Sequence, residues 1–461
     1  MNKEDISHKS ELSRDLGLFP LVMMGTGMMM GAGIFVATGI AVGISGPGGV
    51  LIAYALNGLL AFLSAMSYAE LASVIPKAGG GYIYVQEAFG GIIGFMSGWV
   101  AWFGATIAGS LYAITFAEYL SLLLQNFDYL DNILIEINTF KTVTAILIVL
   151  IFTGINYSGS SKTGKASIYI TLGQIGVMAM IVVGGIAAVV MNPDKLSNFS
   201  QFLPNGWGKI LPTMGVIYIG FEGFEIIAQA GEEAKNPKKD IPKAIFYSMI
   251  IVTTIYLLIA FAVIIGVSTD GMSVWNWFEQ QGVTGFADAI KNLLPYGGIV
   301  VSFSAIFAST SALNATIYSS SRVSYAMGKD ENLPKIMGKV SKKYKTPHIA
   351  ILLSSLIIIT VATILPVKDV AAGAGLMFLL LFLFVNISVI KIRNERGAEL
   401  DYGYLMPYFP YIPVTAIILQ IILSFWIFDV SAKAFIAGGI WIILGVFLYL
   451  LYTRKQKQQS T

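Results

Sequence analysis

The chain has 461 residues, 56% of them hydrophobic and only 12% charged, and a formal net charge of +3. Soluble proteins carry roughly twice that charged fraction, so the row of soluble domains that length alone suggests is excluded. Cysteine is absent and there are two histidines, His8 and His348, which excludes disulfides, thiolate catalysis and a cysteine- or histidine-built metal cluster.

Residues 1–15 are polar and charged, a tail expected in the cytoplasm. The apolar stretch that follows, 16–44, is far longer than the core of a signal peptide and is expected to stay in the membrane. At about 20 apolar residues per crossing, further spans fall at 48–74, 90–122, 140–157, 167–191 and 209–232. The series continues at 243–266, 296–327, 348–365, 369–391, 409–428 and 433–452, and a second tail occupies 453–461. Twelve spans place both termini on one side. With that side cytoplasmic, 23 of the 29 lysines and arginines lie inside, leaving Lys141, Lys195, Lys209, Lys291, Lys368 and Lys433 outside. This asymmetry orients the chain in a cell inner membrane and explains the positive charge with no nucleic-acid partner. The outer segment 267–295, with Trp275 and Trp277, is expected to lie against the membrane surface. The lysine-rich segment 327–347 is expected to form a short amphipathic connection.

The first span contains Gly25-Thr26-Gly27-Met28-Met29-Met30-Gly31-Ala32-Gly33-Ile34-Phe35. Glycine weakens a helix interior by about 1 kcal/mol relative to alanine, and unpaired backbone survives in lipid only where protein or a watery cavity receives it. Close helix packing through small residues explains such glycines equally well. The sixth span shifts the balance, because it reads Gly215-Val216-Ile217-Tyr218-Ile219-Gly220-Phe221-Glu222-Gly223-Phe224-Glu225. Two interrupted helices five spans apart are expected when spans 1–5 (16–191) and 6–10 (209–391) are inverted repeats sharing a midplane site. Freed amides suit a carboxylate and freed carbonyls an ammonium, so backbone alone can hold a zwitterion.

Three motifs make the resemblance specific. One is Gly31-Ala32-Gly33-Ile34-Phe35. The second joins Ile219-Gly220-Phe221-Glu222 to Glu232-Glu233-Ala234-Lys235-Asn236-Pro237 and Asp240-Ile241-Pro242-Lys243-Ala244. The third runs from Ala312-Leu313-Asn314-Ala315-Thr316-Ile317-Tyr318 through Arg322 to Lys329-Asp330-Glu331-Asn332-Leu333-Pro334. Pro76-Lys77-Ala78-Gly79-Gly80-Gly81-Tyr82 adds a fourth. The whole chain resembles the amino acid/polyamine/organocation (APC) transporter superfamily, of the bacterial and archaeal amino acid permease type. The resemblance implies an all-α membrane protein with a leucine-transporter-like 5+5 inverted repeat, helices 1 and 6 broken, and helices 11 and 12 (409–452) appended.

It also implies that amides around Gly31, Ala32 and Gly33 bind a substrate carboxylate, and that carbonyls of Met29, Val216 and Ile219 face the amino group. Val216 stands where related transporters often carry a bulky aromatic, which leaves room unless Tyr218, Phe221, Phe95 or Trp102 fills it. Proton-coupled bacterial members resemble one another in a fifth-helix lysine, and alignment of that helix puts Gln174 in its place. Glutamine cannot titrate. Coupling then passes to Glu222, to Na⁺ held by oxygens such as Gln174 and the Ser309 and Ser311 hydroxyls, or is absent. Gln174 as a plain interhelical hydrogen bonder fits equally well.

Glu222 is the most informative side chain, since an intramembrane carboxylate is costly and functional by default. It is a proton site, a partner for a basic substrate, or a hydrogen-bonding brace across the break. Glu225, one turn on, reads as its structural partner. Arg322 and Glu70 sit near inner helix ends, as gate residues or as surface anchors.

The expected function is secondary active transport of amino acids or related amines by alternating access. No cofactor is expected beyond H⁺ or Na⁺, and the oligomeric state is not legible. The alternatives are an exchanger without ion coupling and a transporter-like nutrient sensor, the latter disfavoured by the short tails. Enzyme activity is not expected, for want of any cluster of nucleophile, base or metal ligands, and no Walker A motif is present for ATP.

Overall fold

A computed structural model of the chain describes residues 15–31, 33–77, 79–127, 136–159, 163–268 and 271–459. Ala32 and the tail residues 1–14, with His8, lie outside the described residues. Helices α1 (Leu18–Met29), α2 (Gly33–Val74), α3 (Gly80–Phe89), α4 (Gly91–Gln125) and α5 (Ile137–Ser158) come first. They are followed by α6 (Thr163–Met191), the short α7 (Ile210–Ile217) and α8 (Phe224–Gln229), and α9 (Pro237–Gly266). Two small helices, α10 (Val274–Gln281) and α11 (Gly285–Lys291), precede α12 (Gly297–Lys329). The chain ends with α13 (His348–Ile364), α14 (Val367–Arg396), α15 (Tyr411–Val430) and α16 (Ala432–Gln459). Among the described residues, ten helical stretches are long and apolar enough to cross a membrane, and α1 and α13 are apolar but shorter.

At 1.5 Å per residue α2 would be about 63 Å long, twice the roughly 30 Å of bilayer hydrocarbon. It does not run straight. Gly46 has φ 77° and ψ −178°, outside helical geometry, and Pro47 follows it. A side chain there would be strained and would also meet the Pro204 ring, so glycine is required at this turn. The turn falls in the gap expected between 16–44 and 48–74. The first apolar stretch is thus α1 plus the first part of α2, two pieces of about 18 and 20 Å, each half a bilayer deep.

The centre is built around these pieces. Helix α1 is enclosed by α6, α8 and α9, and α2 packs along α7 and α9. On the other side α4 lies against α12 and α14. The stretch Trp207–Glu232 has 89% of its apolar window buried within the protein, against 17% for Ala432–Tyr452. The second glycine-rich segment is therefore the innermost and α16 the most peripheral, its leucines and isoleucines turned outward as a membrane-facing helix requires.

The described residues 271–295 of the outer segment fold onto α2, with Phe278 packed beside Gly39 and the Phe286 ring 5.2 Å from Phe35. Val274, Phe278, Phe286 and Ile290 are all buried, so apolar area holds the segment to the protein. At the opposite end, the backbone of Leu16 bridges in parallel to the segment after α8, donating to Glu233 O at 3.0 Å and accepting from Lys235 N at 2.8 Å.

Candidate functional site at two helix breaks

The first break begins where α1 runs out at Met29. Met30 N still reaches Thr26 O (2.9 Å), but Gly31 N turns back to Met28 O (3.1 Å), and α2 restarts at Gly33. A Cβ on Gly31 would stand 2.9 Å from Met28 O and 3.4 Å from Ala312 Cβ, so the turn has no room for one. At Gly33 the nearest atoms to such a Cβ are 3.9 Å away, and they belong to Gly220 and Ile219 of the second break. The first break therefore faces the second across a narrow space.

In the second break α7 ends at Ile217, and Tyr218–Phe221 form a tighter turn. Glu222 is then extended (φ −68°, ψ 139°) and Gly223 has φ 129°. That conformation, and a Met29 N that would lie 2.8 Å from a Cβ, both demand glycine at 223. The two interruptions lie against each other and together form one candidate site.

Tyr256 ties them. From the middle of α9 its hydroxyl donates to Met29 O at 2.5 Å and Gly220 O at 2.7 Å, one carbonyl from each break. The ring packs at 5.2 Å from Tyr54 and 5.4 Å from Phe221, and Tyr54 bonds to Thr38 at 2.7 Å. Sequence reasoning missed Tyr256. The available signal was a lone tyrosine in the aliphatic run of α9, where a buried hydroxyl needs an acceptor.

The carboxylates lie on another side of the same break. Glu225 Oε2 accepts from Gly223 N at 2.7 Å, capping the freed backbone. Glu222 Oε2 is buried without a hydrogen-bond partner. Both line a cavity of about 30 Å³ with Met28, Tyr82, Gln229 and Thr316, enough for one or two waters. Beyond it, Tyr82 donates to Asp330 (2.6 Å) and accepts from Asn332 (3.2 Å). Burial and the Asp330 bond push the Tyr82 phenol well above its ordinary range, which keeps it a donor. The Gly79–Tyr82 and Asp330–Asn332 motifs, far apart in sequence, thus meet here.

Of the other candidates, Met29, Gly31, Gly33, Val216, Tyr218, Ile219, Phe221 and Glu222 all lie in or beside the breaks and are buried. The Tyr218 hydroxyl lies against a hydrogen-bonded cluster of Ser64, Asn386 and Gln420. Gln174 on α6 is buried with Oε1 unpartnered, Ser309 donates to Ala305 O, and Ser311 is half-buried. Phe95 and Trp102 stand apart from the breaks, in a cluster with Trp99, Met327 and Leu333. Glu70 is fully buried and bonds Arg393 (3.1 Å) and Met406 N (2.8 Å). Arg322 is not its partner and instead covers the Tyr318 ring at 3.7 Å.

Residues 16–452 match the family model described as "Amino acid permease". The chain is similar to the branched-chain amino acid permease BcaP of Bacillus subtilis, 26% identical with 98% of this chain and 96% of that protein covered. It is similar as well to the branched-chain amino acid permease BcaP of Lactococcus lactis, at 27% over 91% of this chain and 90% of that protein. A methylthioribose transporter of Bacillus subtilis matches at 27% over 97% of this chain and 95% of its own length.

Proposed function

The chain belongs to the amino acid permease family, a multi-pass membrane transporter and not an enzyme, and we propose that it is a secondary carrier of neutral amino acids working by alternating access. The observation that carries this reading is the direct apposition of Gly33 to Gly220 and of Met29 to Gly223. Freed amides after α1 would hold the substrate carboxylate. Carbonyls of Met29, Val216 and Ile219 would hold its ammonium, with Tyr256 setting the first of them in place.

The side chains nearest to the Gly31–Gly33 turn are Tyr112, Ile219 and Ala312, with Tyr256 against Gly220. These are uncharged, which favours a neutral, apolar substrate side chain. The branched-chain permeases among the relatives agree with that chemistry.

The proposed architecture is twelve helices in a leucine-transporter-like 5+5 inverted repeat, with 16–191 and 209–391 as repeats, 409–452 as helices 11 and 12, and cytoplasmic tails. The lysine and arginine bias supports a cytoplasmic-membrane location with both termini inside. Glu222 is the proposed proton carrier: its unpartnered oxygen beside a water-sized cavity is satisfied by taking up a proton. Gln174, with Ser309 and Ser311, is the competing Na⁺ site.

A thermal-shift screen of the purified protein against all amino acids and common polyamines tests the substrate class. Uptake into liposomes under imposed proton or sodium gradients tests the coupling. A response to non-amine solutes alone would overturn the reading, and counterflow independent of either gradient would make the protein an exchanger.

A further inference from the structure

A second cavity lies away from the breaks, on the membrane-facing side of the molecule. It measures about 500 Å³ and is lined by apolar side chains of α4, α13, α16 and the 333–337 segment, among them Trp99, Trp102, Leu333, Met337, Leu352 and Leu448. The two indoles present carbon to it, because their N–H groups are spent on Trp441 O (2.8 Å) and Ser354 Oγ (2.9 Å). Leu352 and Leu448 are 49% and 36% exposed, so the groove is open at its side.

Its rim is basic. Between Arg322 and Pro347 stand seven lysines and arginines against two acids, Asp330 and Glu331. Both acids are engaged, Asp330 by Tyr82 and Glu331 by Lys335 at 2.9 Å. Lys339, Lys342 and Lys345 are exposed and have no salt bridge among the described residues. Leu333, Pro334, Ile336 and Met337 line the groove while Lys335 and Lys339 alternate with them, so one short segment carries both characters.

We propose that this groove binds one anionic phospholipid of the surrounding bilayer, an acyl chain against Trp99, Trp102 and Leu352 and the headgroup phosphate among Lys335, Lys339 and Lys342. Apolar depth under a basic rim at a membrane surface is the complement of such a lipid. A second copy of the chain fits worse, since it would bring the same unpaired lysines to face one another. A zwitterionic lipid would leave the lysine charge uncompensated.

The test uses the full chain in phosphatidylcholine nanodiscs, titrated with phosphatidylglycerol or phosphatidylcholine carrying dibrominated acyl chains, which quench tryptophan on contact. Brominated phosphatidylglycerol should quench at a lower mole fraction, with a selectivity on the order of fivefold. The selectivity should fall to none in the Lys335→Gln/Lys339→Gln/Lys342→Gln variant, and the selective component should vanish in Trp99→Phe/Trp102→Phe. Equal quenching by both headgroups, or selectivity that survives either variant, overturns the proposal. Native mass spectrometry tests the same site without the tryptophan variant. Phosphatidylglycerol retained by the wild type and lost from the lysine variant supports the site, and equal retention, or dimerisation that displaces lipid, refutes it.

Discussion

The Tyr256 hydroxyl lies 2.5 Å from the carbonyl oxygen of Met29, and its single proton is shared with Gly220 O. An unwound turn inside a membrane protein must have its carbonyls received by something other than lipid. Here one side chain from a third helix receives a carbonyl from each break, so it fixes their separation as well as their solvation.

Replacing Tyr256 by Phe leaves those two buried acceptors unpaired, at a cost of about 1–3 kcal/mol. The variant should reach the membrane, melt at a lower temperature, and lose the shift that substrate produces in the wild type. A substrate-induced shift equal to the wild type's would show that Tyr256 is only a packing residue.

Gly31 and Gly33 should respond differently to the same methyl group. Alanine at 31 presses on Met28 O and should lower the melting temperature, whereas alanine at 33 meets nothing closer than 3.9 Å. Gly33→Ala is therefore expected to fold normally and still lose uptake, because its methyl enters the space between the breaks. Leucine at either position should abolish uptake. The check is uptake compared with the amount of membrane-inserted protein, and full uptake by Gly33→Ala would remove the substrate from this gap.

The two carboxylates are expected to separate by function. Glu222→Gln should end proton-driven accumulation while leaving counterflow of unlabelled for labelled substrate. Glu225→Ala should weaken the fold by about 1–3 kcal/mol, because Gly223 N loses its acceptor. Proteoliposome transport with and without a pH gradient distinguishes them, and gradient-driven uptake by Glu222→Gln would transfer the coupling to Gln174 and its neighbours.

The Glu70–Arg393 pair should be asymmetric. Glu70 is 0% exposed and Arg393 23% exposed. Arg393→Met strands a fully buried carboxylate and should cost about 3–5 kcal/mol. Glu70→Gln leaves an arginine that can still reach water and the Phe409 ring, and should cost less. Thermal unfolding of the two variants in one detergent ranks them, and the opposite order would refute the argument.

The breaks were legible because glycine at 31 and 223 answers to backbone geometry, which local sequence encodes directly. The turn at Gly46-Pro47 was legible for the same reason, as the gap between two apolar runs. What tertiary contact decides was not. Tyr256 acts through carbonyls 36 and 227 residues away, and its place in the aliphatic run of α9 signals a need for an acceptor without saying which. The resemblance offered Phe95 and Trp102 as aromatics that could fill the room beside Val216, yet they pack with Trp99 beside an apolar groove. Likewise the burial of Phe278 against Gly39 of α2 is a tertiary contact that the outer segment's own sequence does not mark.

The parallel bridge at Leu16 is made of main chain alone. Displacing the start of α1 carries residues 233–235 with it, or else exchanges two backbone hydrogen bonds for water. No ordinary side-chain substitution removes such a tie, and only an imino acid at 16 or 235 deletes one of its donors. Side-chain substitutions can therefore reshape the surroundings of the breaks without cutting the main-chain link between the start of α1 and the segment after α8.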